Sequence, residues 1–76
     1  MLVVKMPELG EEIEKAVVSY FYVKVGDQVK KEDDILELTT DKATFNVSTA
    51  AAGLIKNILV KEGQEVKIGQ DLVVIE

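Results

Sequence analysis

The chain repeats itself at an offset of 37 residues, close to half of its 76. At this offset a turn segment recurs, and beyond it Asp34 aligns with Asp71 and Leu38 with Ile75. Two copies are too few for a solenoid, which generally needs three or more. The repeat therefore predicts two similar halves, roughly 1–38 and 39–76, that close about a pseudo-two-fold axis around one core. The alternative is a chance match in a β-rich sequence of low diversity. The coinciding pairs in the turn are Val23/Val60, Lys24/Lys61, Gly26/Gly63, Val29/Val66 and Lys30/Lys67.

Short apolar runs separated by glycine or acidic turns predict strands. Val, Ile and Thr make up 22 of the 76 residues, a composition that favours β structure. In the run 35–38, Glu37 should face water, so Leu36 and Leu38 should face inward, with Val73 and Ile75 as their counterparts. The segment 43–48 alternates in the same way. Together these runs predict a single all-β domain, a small antiparallel barrel or two-sheet sandwich of about eight short strands.

The composition excludes several classes of function. The chain has no Cys and no His, so it lacks disulfides, a thiolate zinc site and the usual general base. It has 14 acidic residues against 9 Lys and no Arg, a net charge of −5 that argues against nucleic-acid binding. No run is long enough for a signal peptide core or a membrane span. We therefore expect a carrier or binding module in the cytoplasm rather than an enzyme.

The midpoint of the chain is predicted to be a hairpin tip. Strand-forming residues flank Asp41 and Lys42 on both sides, which leaves the lysine exposed. A lone lysine at a turn is usually an ordinary solvated charge, but this one lies at the centre of a duplicated β fold. The same offset brings Lys5 onto Lys42, although Lys5 precedes Met6-Pro7 rather than a turn between paired strands.

Residues along the whole chain resemble the lipoyl domains of 2-oxo acid dehydrogenase complexes. The segment Thr40-Asp41-Lys42-Ala43 is similar to their attachment motif. Four further segments resemble parts of these domains. Residues 5–11 resemble the opening strand and loop, and residues 23–27 the Val-Lys-x-Gly-Asp turn. Residues 51–53 resemble the small-residue step before the second half, and residues 69–72 the closing turn. The resemblance implies a flattened barrel of two four-stranded antiparallel sheets with a quasi-two-fold axis.

The resemblance also implies a function. Lys42 would carry lipoic acid as an amide, attached by a lipoate ligase or lipoyl transferase. The partners would be a thiamine-diphosphate-dependent 2-oxo acid dehydrogenase, an acyltransferase catalytic domain and a flavoprotein dihydrolipoyl dehydrogenase. No metal, nucleic acid or membrane is expected, and the domain is expected to be monomeric. The opening Met6–Glu11 most resembles pyruvate-type acyltransferases; branched-chain 2-oxo acids, 2-oxoglutarate and acetoin remain alternatives. The chain could be an excised domain of an acyltransferase or a free-standing carrier.

Other features of the resemblance concern recognition. Asp41 and Ala43 would help the modifying enzyme choose lipoyl over biotinyl attachment, since biotin carriers have Met-Lys-Met there; Asp41 could equally only shape the turn. The segment Leu9–Lys15 is predicted to be a loop rather than a helix. By the resemblance this loop would help select the dehydrogenase, although its acidic residues could equally serve only solubility: Glu11, Glu12 and Glu14. Thr39 stands where many lipoyl domains have an acid. A biotinyl carrier and an unmodified docking barrel remain the alternative functions.

Overall fold

A computed structural model describes residues 1–10 and 12–76, which form eight strands and contain no helix. The strands are β1 Leu2–Lys5, β2 Lys15–Phe21, β3 Gln28–Val29, β4 Asp34–Thr39, β5 Thr44–Ser48, β6 Gly53–Ile58, β7 Glu65–Lys67 and β8 Asp71–Ile75. The predicted all-β class is confirmed. Because the described part of the chain is entirely strand and loop, it offers no helix that could cross a membrane.

The strands form two four-stranded antiparallel sheets, in the orders β1-β8-β6-β3 and β5-β4-β2-β7. Exchanging each strand for its counterpart in the other half of the chain converts one order into the other. The first half thus contributes strands to both sheets, and so does the second. This arrangement confirms the pseudo-two-fold symmetry that the repeat predicts.

Backbone hydrogen bonds repeat across the axis as well. The N–H of Gly26 donates to the carbonyl of Ile55 at 2.8 Å, and its counterpart Gly63 donates to Val18 at 2.6 Å. Both glycines lie in turns with positive φ, 97° and 86°, which glycine adopts without a Cβ penalty. In addition, a side chain three residues ahead accepts a bond from the backbone N–H of each of four turn lysines: Lys24, Lys30, Lys61 and Lys67.

The first strand of each half departs from the 37-residue offset. In the ladders, Leu2 lies opposite Ile75, whereas Phe45 lies opposite Leu38, so Leu2 corresponds to Phe45 at an offset of 43. Between equivalent residues of the two halves, the chain from β1 to β2 is therefore six residues longer (43 less 37) than the chain from β5 to β6. By this register Lys5 corresponds to Ser48, not to Lys42, so the match of those two lysines at offset 37 has no structural counterpart.

The core lies between the two sheets and contains residues of both halves. Leu36, Leu38 and Val73 are fully buried, and Ile75 is 2% exposed, as the alternation predicts. Ile35 and Leu72 are also fully buried, although they lie next to inward-facing residues. Both sit where the ladder register shifts, between Asp34 and Leu36 and opposite the shift between Val4 and Lys5. A bulge allows neighbouring side chains to share a face, which alternation alone does not predict.

Candidate functional site

The strands β4 and β5 form the predicted hairpin, with Asp41 and Lys42 at its tip. Thr39 lies opposite Thr44 in the ladder, and the N–H of Thr40 donates to the carbonyl of Ala43 at 2.8 Å. Asp41, Lys42 and Ala43 are all exposed. The hairpin therefore places the Lys42 side chain at the extreme end of the sheet, where another protein can reach it.

Thr40 fixes the conformation of the tip. Its Oγ1 accepts hydrogen bonds from the N–H groups of Lys42 at 3.2 Å and Ala43 at 3.0 Å, and donates to the carbonyl of Ala43 at 2.9 Å. A hydroxyl has one donor and two acceptor sites, so all three are used. Among the described residues, Asp41 makes no side-chain hydrogen bond, so the turn-shaping role considered for Asp41 belongs to Thr40.

Behind the tip, polar side chains join β4 to β2. The hydroxyl of Thr39 donates to Ser19 Oγ at 2.9 Å, and Ser19 in turn donates to Glu37 Oε2 at 3.0 Å. Ser19 lies where the β2–β4 register shifts, so it is exposed together with Tyr20, whereas Val18 on its other side is buried. Thr39 is thus part of a network that supports the hairpin.

Lys42 is paired with the longer loop. Its Nζ lies 2.6 Å from Glu12 Oε2, and the two side chains are 55% and 78% exposed. An ion pair this exposed contributes at most about 1 kcal/mol to stability, so it favours one position of the lysine side chain without fixing it there. Of the three loop acids, Glu12 contacts the hairpin, Glu14 does not do so through an ion pair, and Glu11 lies outside the described residues. The sequence patterns did not predict this contact.

A groove of about 720 Å³ runs beside the hairpin, between the loop and the outer face of β2 and β4. Its apolar lining comes from Ile13, Ala16 and Val17. Acidic side chains surround that lining: Glu12, Glu14, Asp41 and Glu65. On the other side of Ile13, a recess of about 360 Å³ is lined by Gly10, Glu12 and Lys42. The Lys42 side chain is 55% exposed, and the apolar lining of the groove lies beside its hairpin.

Comparison with known proteins gives the family. The family model described as "Biotin-requiring enzyme" (Biotin_lipoyl) matches residues 2–75. The chain belongs to the Biotin_lipoyl family. A solved relative, the lipoyl domain of the 2-oxoglutarate dehydrogenase complex from Azotobacter vinelandii, superposes with a TM-score of 0.79. That comparison covers 100% of this chain and 96% of the other, at 30% identity.

Two curated relatives show the variety of larger proteins that contain such a domain. The succinyltransferase component of the 2-oxoglutarate dehydrogenase complex of Buchnera aphidicola is 42% identical over 88% of this chain. The acetyltransferase component of the pyruvate dehydrogenase complex of Zymomonas mobilis is 42% identical over 93% of it. The chain spans only 17% and 16% of these two proteins.

The fold and the family together make this chain a lipoyl domain. Lipoyl domains carry lipoic acid covalently on a lysine, and they are carriers without catalytic activity of their own. The carrier class agrees with the interpretation of the composition. Which of the nine lysines carries the group is a separate question.

Proposed function

We propose that Lys42 is the lipoyl-attachment residue and that this domain carries acyl groups and electrons between the active sites of a 2-oxo acid dehydrogenase complex. The observation that supports this most directly is the position of Lys42 at the tip of a hairpin fixed by Thr40. Four other turn lysines recur as pairs at the 37-residue offset, which suits a shared role in the turns, whereas Lys42 lies in the hairpin between β4 and β5: Lys24/Lys61 and Lys30/Lys67.

The residues of the hairpin have distinct roles in this proposal. Thr40 holds the backbone of Lys42 and Ala43, so the lysine side chain leaves the domain in one direction. Lys42 Nζ forms an amide with the lipoyl carboxyl group, with net loss of water, and the modifying enzyme supplies the activated acyl donor. Amide formation removes one positive charge and takes the net charge from −5 to −6.

Asp41 and Ala43 are proposed as contacts for the modifying enzyme. Both flank Lys42 on the exposed tip, and the Asp41 carboxylate is free of side-chain hydrogen bonds to the described residues. Thr40 already fixes the turn, which leaves Asp41 available to another protein. A lipoate ligase or lipoyl transferase is the proposed enzyme.

In this carrier role the domain would interact with three active sites in turn. Bound lipoic acid supplies a dithiolane that accepts an acyl group and two electrons. We propose a thiamine-diphosphate-dependent dehydrogenase as the acyl donor, an acyltransferase catalytic domain as the acceptor site and dihydrolipoyl dehydrogenase for reoxidation. The names of the relatives support this set, since they are components of 2-oxo acid dehydrogenase complexes. Tethering to the complex would raise the effective concentration of the carried group at each site.

The identity of the acyl group remains a prediction. The opening segment Met6–Glu11 favours a pyruvate-type complex, and the Zymomonas mobilis relative is of that type. Relatives named for the 2-oxoglutarate complex and for the branched-chain complex are similar at 42% and 37% identity, so they do not confirm the preference. Reductive acylation of the lipoylated domain by each of the three dehydrogenases, compared by kcat/KM, would decide among them.

The attachment site is tested by intact-mass spectrometry after co-expression with lipoate ligase in the presence of lipoic acid. We expect one lipoyl increment on the wild-type domain and none on Lys42→Arg. Lys5→Arg is the matched control, because Lys5 is also exposed and paired with an acid, Asp71, at 3.1 Å. Lys5→Arg should be modified as fully as the wild type.

Two results would contradict the proposal. A lipoyl increment that persists in Lys42→Arg would place the group on another lysine. A folded wild-type domain that takes no lipoyl group from active ligase would favour an unmodified docking barrel. A biotinyl increment with biotin ligase, in place of the lipoyl one, would favour the biotin carriers of the same family.

A further inference from the structure

The contact between Glu12 and Lys42 joins the two parts of the surface that lie next to the attachment site. The 2.6 Å distance between Glu12 Oε2 and Lys42 Nζ corresponds to a charge-assisted hydrogen bond. Glu12 belongs to the loop between β1 and β2, where the first half has its six extra residues relative to the second. The same lysine is therefore the residue to be modified and the partner of the loop.

The loop is held by backbone hydrogen bonds at its two ends and by Leu9, which packs against the core between them. At the start, Met6 is buried and exchanges backbone hydrogen bonds with Gly69 and Gln70. At the end, the carbonyl of Glu14 accepts a bond from the N–H of Ile68 at 3.3 Å. Between them, the only side-chain hydrogen bond or ion pair from the described loop residues to another element is the one from Glu12 to Lys42. Loss of that bond leaves the middle of the loop without a polar tie to the sheet.

We propose that lipoylation of Lys42 releases Glu12, so that the loop reports the modification state of the domain to its partner. This inference rests on the proposed attachment to Lys42. In the unmodified domain the ammonium group holds Glu12 against the hairpin. The amide that replaces it is neutral, so the ion pair is lost and Glu12 presents a free carboxylate.

The released carboxylate joins an acidic surface. Glu14 and Asp41 line the same groove as Glu12, and neither is within ion-pair distance of a described lysine. Glu65, also in the groove, stays paired with Lys15 at 3.6 Å. Before modification two of the four groove acids are paired, Glu12 with Lys42 and Glu65 with Lys15; after modification only Glu65 is. The partner that fits it is a protein surface bearing Lys or Arg side chains, which binds the lipoylated domain better than the unmodified one.

The release is tested by ¹⁵N NMR on the full chain before and after lipoylation. We expect the heteronuclear NOE of residues 12–14 to fall when Lys42 is lipoylated. The unmodified Glu12→Gln variant should already show the lower values, and its lipoylation should lower them no further. Asp71→Asn is the matched control, because it removes one acid of an exposed ion pair on the opposite sheet. This variant should behave like the wild type.

The partner is tested by reductive acylation with a purified 2-oxo acid dehydrogenase that accepts the wild-type domain. For the lipoylated domain, Glu12→Gln should lower kcat/KM by about two- to fivefold, the range expected for one exposed ion pair. Asp71→Asn should leave it unchanged, and added salt should shrink the difference.

The outcomes separate this inference from the attachment proposal. Intact mass establishes first whether Lys42 carries the lipoyl group, and a failure there is a failure of the attachment site. With lipoylation complete, unchanged NOE values for residues 12–14 would overturn the release. An equal fall in wild-type and Glu12→Gln domains on lipoylation would also overturn it. A kcat/KM that Glu12→Gln does not alter would overturn the role in partner binding.

Discussion

Glu32 and Gly69 occupy equivalent turns of the two halves, and both have positive φ, 74° for Glu32 and 84° for Gly69. Their N–H groups make equivalent bonds, Glu32 to the carbonyl of Thr49 at 2.8 Å and Gly69 to that of Met6 at 2.9 Å. The symmetric turn thus imposes the same backbone conformation on both residues. Gly69 adopts it freely, whereas Glu32, which has a Cβ, does not. The strain at Glu32 is a property of the fold, not of its side chain, which is exposed.

Replacing Glu32 with glycine should therefore stabilise the domain. A side chain in the left-handed region costs about 1–2 kcal/mol, and the greater entropy of glycine in the unfolded chain returns part of that. We expect the free energy of unfolding in urea to rise by about 0.5–1 kcal/mol for Glu32→Gly. Glu32→Ala is the control, since it removes the charge and keeps the Cβ; it should not stabilise. Equal gains from both variants would mean that charge, not backbone strain, is responsible.

Gly53 is required for a different reason, the close approach of neighbouring atoms. A Cβ at this position would lie 2.6 Å from Ile75 Cγ2 and 2.7 Å from the carbonyl oxygen of Glu76. Gly53→Ala should cost about 1–3 kcal/mol of unfolding free energy through overpacking, measured by thermal or urea unfolding.

Gly63 is a useful comparison for Gly53. A Cβ there meets nothing within 4 Å, but φ is +86°, so Gly63→Ala is strained only through its backbone. Asn tolerates that region better than Ala. Gly63→Asn should then recover part of the loss, while Gly53→Asn should be no more stable than Gly53→Ala. Recovery at Gly53 would show that its backbone, rather than the space, is limiting.

Leu38 tests the shared core. It is fully buried and lies between Val18 on β2 and Phe45 on β5 in the ladders. Leu38→Ala should lower the free energy of unfolding by about 2–5 kcal/mol, because it leaves a cavity that the small core cannot fill. Leu54→Ala is the same change at a residue 40% exposed, and it should cost less than about 1 kcal/mol. Similar losses at the two positions would contradict the predicted core.

The alternation and the repeat predicted the architecture because they reflect local and symmetric constraints. They placed Leu36 and Leu38 in the core and Lys42 at the tip of a hairpin. They missed the burial of Ile35 and Leu72, because a bulge breaks the two-residue period without a clear sequence signal. One signal was available: the offset of 37 fails before Ala16, which marks the longer loop.

The side-chain contacts at the site were not predictable in the same way. The contact of Glu12 with Lys42 joins residues 30 positions apart. It depends on how a loop folds back, which hydrophobic periodicity does not describe. Asp41 was considered as the residue that shapes the turn, since Asp commonly does so. Thr40 does it instead, and the choice between two adjacent polar residues depends on backbone geometry that the sequence pattern leaves open.

Thr40 can be tested separately from Lys42. Its hydroxyl makes three hydrogen bonds within the tip, so Thr40→Val, which keeps the shape, should loosen the turn. We expect a loss of about 0.5–1.5 kcal/mol in unfolding free energy and slower lipoylation by the ligase. Thr40→Ser keeps the hydroxyl and should restore both. If Thr40→Val were lipoylated at the wild-type rate, the fixed turn would not matter to the modifying enzyme.

Lys42 itself should matter little to folding, because its side chain is exposed and its contribution is the ion pair with Glu12. We expect Lys42→Ala to change the free energy of unfolding by no more than about 0.5 kcal/mol. A double-mutant cycle with Glu12→Gln isolates the pair, and its coupling free energy should be below about 1 kcal/mol and fall with added salt. A large loss in Lys42→Ala would mean that the lysine supports the hairpin. A small loss would mean that Thr40 and the ladder alone build the hairpin, which leaves the Lys42 side chain free for modification.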